Sequence, residues 1–234
     1  MFENFSIFSL LCYNSDMPNF KQKLLIYFAA LSAGTLLISN LSAVKLWNFL
    51  GIAVDGGVVL FPISYILGDL IIEFYGKNLS KHIIFASFLV NILAILIFYI
   101  VIALPIYPGW ALQESFKNIL GFVPRIILGS LIAYIFSNLF NNYIFTQLKS
   151  SKGIFEKVFI ARALGSSAFA HIIDSFIFEI IAYLGVLPFN EFLIQAGFAY
   201  ILGLGLEIIL SPIEVVIQKH LEGKILYESK LSEQ

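Results

Sequence analysis

The chain has 234 residues, 59% of them hydrophobic and 12% charged, with a formal net charge of -1. Soluble domains carry about 25% Asp, Glu, Lys and Arg, so this surface calls for a lipid bilayer rather than water. The near-neutral charge excludes a basic nucleic-acid binder. One cysteine, Cys12, excludes an intramolecular disulfide and a cysteine-built zinc site.

Residues 1–20 come first. Phe5 to Leu11 is apolar but short, and no Lys or Arg precedes it, so it does not read as a secretory signal. The segment reads as a poorly ordered tail, as a start misplaced ahead of Met17, or as a short interfacial helix. Beyond it, a helix crossing the hydrocarbon needs roughly 20 apolar residues. Six stretches qualify: Leu24 to Val44, Val58 to Tyr75, Ile83 to Leu104, Ile119 to Phe145, Val158 to Leu187, and Phe192 to Ile217. No ten-residue alternating pattern recurs, which speaks against a β-barrel. The expected fold is an all-α membrane protein of six transmembrane helices over residues 21–218, followed by a polar tail over 219–234.

An even number of spans places both termini on one side. Lys21, Lys23, Lys77, Lys81, Lys149, Lys152, Lys157, Lys219, Lys224 and Lys230 fall on that side, against Lys45 and Lys117 on the other. Ten against two makes the terminal side cytoplasmic by the positive-inside rule. The cytoplasmic (inner) membrane is the expected location.

Ionisable groups within spans are costly, so each one points to a cavity, a partner or a function. In the second span, Asp69 and Glu73 are four apart and share a helix face with Tyr65. Counting from Val58, Asp69 lies roughly 16 Å deep, near the midplane. Glu73 falls closer to the cytoplasmic surface. In the fifth span, Ser167, His171 and Asp174 form one polar stripe. A site and a structural histidine–carboxylate pair compete as its explanation. Glu179 lies about 140° round the helix from Asp174 and reads as belonging to a different environment. The first span adds Asn40, and the fourth adds Arg125, Ser130, Ser137, Asn138, Asn141 and Asn142. Arg162 stands near the start of the fifth. The three histidines (His82, His171 and His220) do not group into a metal site, and no hydrolase motif is present. No metal or cofactor is expected.

The run from Phe61 to Gly76 contains Phe61-Pro62-Ile63-Ser64-Tyr65, then Asp69, then Glu73-Phe74-Tyr75-Gly76. It resembles the signature of the bacterial queuosine-precursor transporter family, Phe-Pro-[Leu/Ile]-[Thr/Ser]-Tyr-x-x-x-Asp-x-x-x-Glu-x-[Tyr/Phe]-Gly. Arg162 to Gly185 is similar to that family's second block, and Asn40 with Lys45 to a shorter third. In the family's pattern, glutamine is usual where His171 and Asn138 stand, and aspartate is frequent at Asn141; these departures bear on substrate recognition.

The resemblance implies import of 7-deazaguanine precursors, such as 7-cyano-7-deazaguanine or 7-aminomethyl-7-deazaguanine, for salvage into tRNA modification. A guanine-like edge presents adjacent N–H donors that a carboxylate accepts as a pair. On that basis Asp69 and Asp174 are expected to meet the substrate, with Asn40, Asn138 and His171 beside them. Glu73, Arg125 and Arg162 are expected to balance charge during opening and closing. The implied partners are the bilayer, the small-molecule substrate, and either further copies of the chain or an energy-coupling module. Two rival readings stand beside this one. The first is the substrate-binding subunit of an energy-coupling-factor vitamin importer. The second is an intramembrane aspartyl enzyme using Asp69 and Asp174 as a dyad.

Overall fold

The computed structural model describes residues 19–150 and 159–232. Of these described residues 83% are helical. Helix α1, Phe20–Ser42, starts at a reciprocal cap. The Asn19 side chain accepts from the Gln22 backbone N–H at 2.8 Å, and the Gln22 side chain accepts from the Asn19 N–H at 3.0 Å. Both bonds satisfy donors that a helix start leaves open.

The chain then forms a hairpin that the hydropathy pattern does not show. Strand β1, Leu46–Phe49, pairs antiparallel with β2, Ile52–Asp55. Leu50 (φ 52°) and Gly51 (φ 90°) make the two-residue turn between them. Positive φ at both positions matches strand twist. A 3-10 turn over Gly56–Leu60 follows, so Val58 belongs to this turn rather than to the second span.

Helix α2, Phe61–Ala103, has 43 residues with Pro62 in its first turn. It would be roughly 65 Å long if straight, about twice the hydrocarbon thickness. It breaks at Gly76, whose φ of 80° and ψ of 164° are not helical. The expected second and third spans are the two arms, and helix resumes directly at Lys77 without a connecting loop. A short helix α3, Gln113–Leu120, lies beyond, tied back by Gln113 donating to the Ile102 carbonyl at 3.1 Å. Helices α4, Val123–Ser150, and α5, Phe159–Tyr183, make the most extensive helix pairing in the fold. Helix α6, Phe189–Ser232, carries Pro212 within it and continues helical through the segment expected as a tail.

Among the described residues, four helical stretches are long and apolar enough to cross a membrane: Phe20–Ser42, Ile66–Ala103, Gln113–Ser137 and Phe189–Leu210. The protein is thus a multi-pass membrane protein, and the many exposed Leu, Ile and Phe side chains along these helices are its lipid-facing surface. The expectations for residues 1–18 lie outside the described residues.

Two apolar clusters mark the ends of the bundle. At one end Leu24 and Phe28 of α1 pack with Leu67, Leu70, Ile71 and Ile83 of α2 and with Ile217, Leu221 and Ile225 of α6. Tyr75 donates to the Lys21 carbonyl at 2.6 Å there. At the other, the hairpin end, Ala43 meets Ile126, Ala182 and Tyr183. The Tyr183 hydroxyl donates to the Ala43 carbonyl oxygen, joining α5 to the end of α1.

Candidate functional site

Between these clusters the helices enclose a cavity of about 390 Å³. That volume falls within the range of small-molecule sites. Helix α1 contributes Ser39 and Asn40, α2 contributes Ser64, Leu67, Gly68 and Ser87, and α4 contributes Ser130 and Tyr134. Helix α5 contributes His171, Asp174, Ser175, Phe178 and Glu179; α6 contributes Ala199 and Gly203; the hairpin contributes Asp55. Three carboxyl groups and no lysine or arginine stand among the described lining residues.

The α5 contribution follows helical geometry. Positions 171, 174, 175, 178 and 179 recur at i, i+3, i+4, i+7 and i+8, one broad face. The cavity wraps that face widely enough to reach both Asp174 and Glu179. The 140° between them therefore separates two sides of one site, and the expectation that Glu179 sits in a different environment is corrected. Asp174 lies beside the Ser137 hydroxyl of α4 and within electrostatic reach of His171. Glu179 is fully buried beside the Gln195 amide of α6, and neither carboxylate oxygen completes a hydrogen bond of ordinary geometry among the described residues.

Asn40 is buried, and its amide nitrogen donates to Asn91 Oδ1 at 2.9 Å. Asn91 in turn donates to the Ser87 carbonyl at 2.8 Å. This chain fixes the amide of Asn40 at the cavity wall. Phe88 and Tyr134, with ring centroids 5.9 Å apart, and Phe178 supply aromatic surface.

Asp55 was not singled out by the sequence. Its Oδ1 accepts the Gly57 N–H at 2.8 Å, and its backbone carbonyl accepts from Trp47 Nε1 at 3.2 Å. Burial pushes its carboxyl up to about 6, against the lowering effect of the backbone N–H groups of Gly57 and Val58. The signal that marks it is Asp-Gly-Gly directly before a helix. Gly56 and Gly57 press on the end of α1, where a Cβ would come within 2.5 Å of the Ser42 carbonyl oxygen and 2.9 Å of that of Ser39, respectively.

Asp69 does not join Asp174. Ser64, Leu67, Gly68 and Ile71 face the cavity, and Asp69 stands roughly 150° from the centre of that face. It is exposed on the outside of α2. Glu73 shares its face and is also exposed, accepting from Gln218 of α6 at 3.2 Å. The four-residue spacing identified a common face correctly but not which neighbour it meets. The aspartyl dyad of an intramembrane enzyme is therefore not assembled. Arg125 donates from Nε to the Ile181 carbonyl and from a terminal nitrogen to that of Leu184, both at 2.6 Å. It caps the C-terminal carbonyls of α5, a fixed role rather than a group facing the cavity. The expectations for the side chains of Asn138 and Arg162 lie outside the described residues.

The sequence model of a family described as "Putative vitamin uptake transporter" matches residues 55–217. The "Probable queuosine precursor transporter" of Bacillus subtilis (strain 168) is 28% identical over 185 residues, covering 77% of this chain and 79% of the relative. The "Queuosine precursor transporter" of Escherichia coli (strain K12) is 28% identical over 136 residues, 58% of each chain. No solved structure matches.

Proposed function

This chain belongs to the vitamin uptake transporter family, and from its likeness to the two queuosine precursor transporters we propose that it carries queuosine precursors into the cell across the cytoplasmic membrane. The substrates are 7-deazaguanines, the 7-cyano and 7-aminomethyl forms or the related free base. The observation that carries the reading is the cavity: large enough for a fused bicyclic base, and lined by three carboxyl groups with no lysine or arginine among the described residues. Six spans, with both arms of α2 crossing, and cytoplasmic termini complete the topology.

Asp174 is the acceptor for the paired N–H donors of the deazaguanine edge. His171 lies one turn away on the same helix face, and Asn40, its amide nitrogen tied to Asn91, offers its carbonyl oxygen. Phe178, Phe88 and Tyr134 cover the ring faces. Asp69, on the outside of α2, is not assigned to the substrate.

Uptake of labelled 7-cyano-7-deazaguanine into a strain unable to synthesise it tests the reading. The wild-type chain should restore accumulation, and Asp174→Asn should reduce it at least tenfold at equal membrane abundance. Full uptake by that variant would remove Asp174 from the site; no uptake by the wild-type chain would remove the proposed substrate.

A further inference from the structure

The proposed substrate contacts use one of the three cavity carboxyls. Glu179 and Asp55 remain, at the hairpin end. No part of Glu179 is exposed, yet it lines the cavity, and its one polar neighbour of note among the described residues besides Asp55 is the uncharged Gln195 amide, at which neither oxygen completes a hydrogen bond of ordinary geometry. Asp55, 5% exposed, is near enough for the two charges to interact.

The other groups around Glu179 supply no counter-charge. Gln195 of α6 borders the same small void as Asp55 and Glu179, and its amide, near enough to Glu179 to favour the ionised form, carries no charge to offset burial and the second acid. Tyr183, one turn on, donates its hydroxyl to Ala43. Arg125 of α4 gives its guanidinium to the Ile181 and Leu184 carbonyls. His171 and Asp174 lie deeper along α5. An ionised carboxylate so placed is costly to bury, and a second acid beside it adds repulsion. One proton removes both costs.

We propose that Glu179, faced by Asp55, is a proton-binding site at the hairpin end of the cavity, through which substrate movement is coupled to a proton gradient. This rests on the transport reading above. An O–H bond forms on a Glu179 oxygen with a proton taken from water on the hairpin side. It breaks, returning the proton to water, when the cavity opens to the opposite side. No electrons are transferred. Gln195 is the positioning residue, its amide adjacent to whichever form of the carboxyl is present.

Two measurements on the full-length protein decide the matter. In infrared difference spectra across a pH titration in detergent, wild type should show a protonated-carboxyl band at neutral pH that Glu179→Gln removes. In proteoliposomes, an inward proton gradient should raise wild-type accumulation of 7-cyano-7-deazaguanine several-fold, and Glu179→Gln should lose that response. Should Glu179→Gln fail to insert, Glu179→Asp should shift the band and weaken the response. A band and response unchanged by substitution, or accumulation that follows a sodium gradient instead, would overturn the proposal. If wild type does not exchange 7-cyano-7-deazaguanine at all, the substrate reading fails, and the infrared band alone decides the proton site.

Discussion

Asn40 and Asn91 are 51 residues apart and meet side chain to side chain at 2.9 Å in the interior, joining α1 to the second arm of α2. Asn91 is fully buried. Among apolar helices, where Leu packs as well against lipid as against protein, such a bond specifies which helices associate and in what register. Leaving one partner buried alone costs about 1–3 kcal/mol. Asn91→Leu should therefore lower the detergent melting temperature. Asn40→Leu combined with Asn91→Leu should recover part of that loss, because no orphaned amide remains. A double variant whose loss equals or exceeds the sum of the two single losses would show that the pair is not coupled in this way.

The hairpin contact is tested at a glycine. A Cβ at position 56 would lie 2.5 Å from the Ser42 carbonyl oxygen, a backbone atom with no rotamer to yield, whereas one at Gly34 meets nothing within 4 Å. Gly56→Ala should displace the hairpin from the end of α1, and Asp55 with it. The expected result is reduced uptake together with a loss of stability on the order of 1–3 kcal/mol. Gly34→Ala should stay within about 0.5 kcal/mol of wild type. Equal behaviour of the two variants would place the hairpin elsewhere.

These two sites show where sequence reading succeeds and where it stops. Hydropathy located the long helices because bilayer thickness sets a length that apolar runs must meet. Of the polar stripe expected on α5, His171 and Asp174 do line the cavity, because ionisable groups on an apolar helix are expensive unless they face inward; the Ser167 side chain lies outside the described residues. The hairpin was not legible, since four-residue strands around Leu50-Gly51 are too short to show a period. Nor was the helical end of α6, whose polar composition resembles a tail although Leu221 and Ile225 recur at i, i+4 and pack on α1 and α2. Asp69 is the clearest case. Spacing tells which residues share a face, while the choice of face facing the cavity depends on α1, α4 and α5, which no local pattern encodes.

Gly76 turns one long helix into two arms. Its φ of 80° with ψ of 164° lies in a region open essentially to glycine alone. No atom would crowd a Cβ there, so substitution tests conformation rather than space. Gly76→Ala should cost about 1–3 kcal/mol, seen as a lower melting temperature and weaker uptake. Gly68→Ala, at a cavity-lining position with nothing within 4 Å, should leave stability near wild type. A thermal midpoint unchanged by Gly76→Ala would mean that the break is not conformationally strained.

The buried carboxyl of Asp55 gives stability a definite pH dependence. Its folded-state value is raised from 3.8 to about 6, chiefly by burial. Between those values the folded protein holds a proton that the unfolded chain has released, so this group disfavours unfolding least at high pH and most at low pH. Stability attributable to Asp55 is therefore highest below about pH 4, declines as pH rises through 6, and is constant above. Asp55→Asn removes the titration while keeping an oxygen that can accept the Gly57 N–H. The variant should match wild type near pH 4 and exceed it at pH 7.5 by on the order of 1–3 kcal/mol, read as a higher melting temperature in detergent at the alkaline end only. A stability difference that grows toward acid instead would mean that Asp55 is held ionised by a partner and that burial does not govern its protonation.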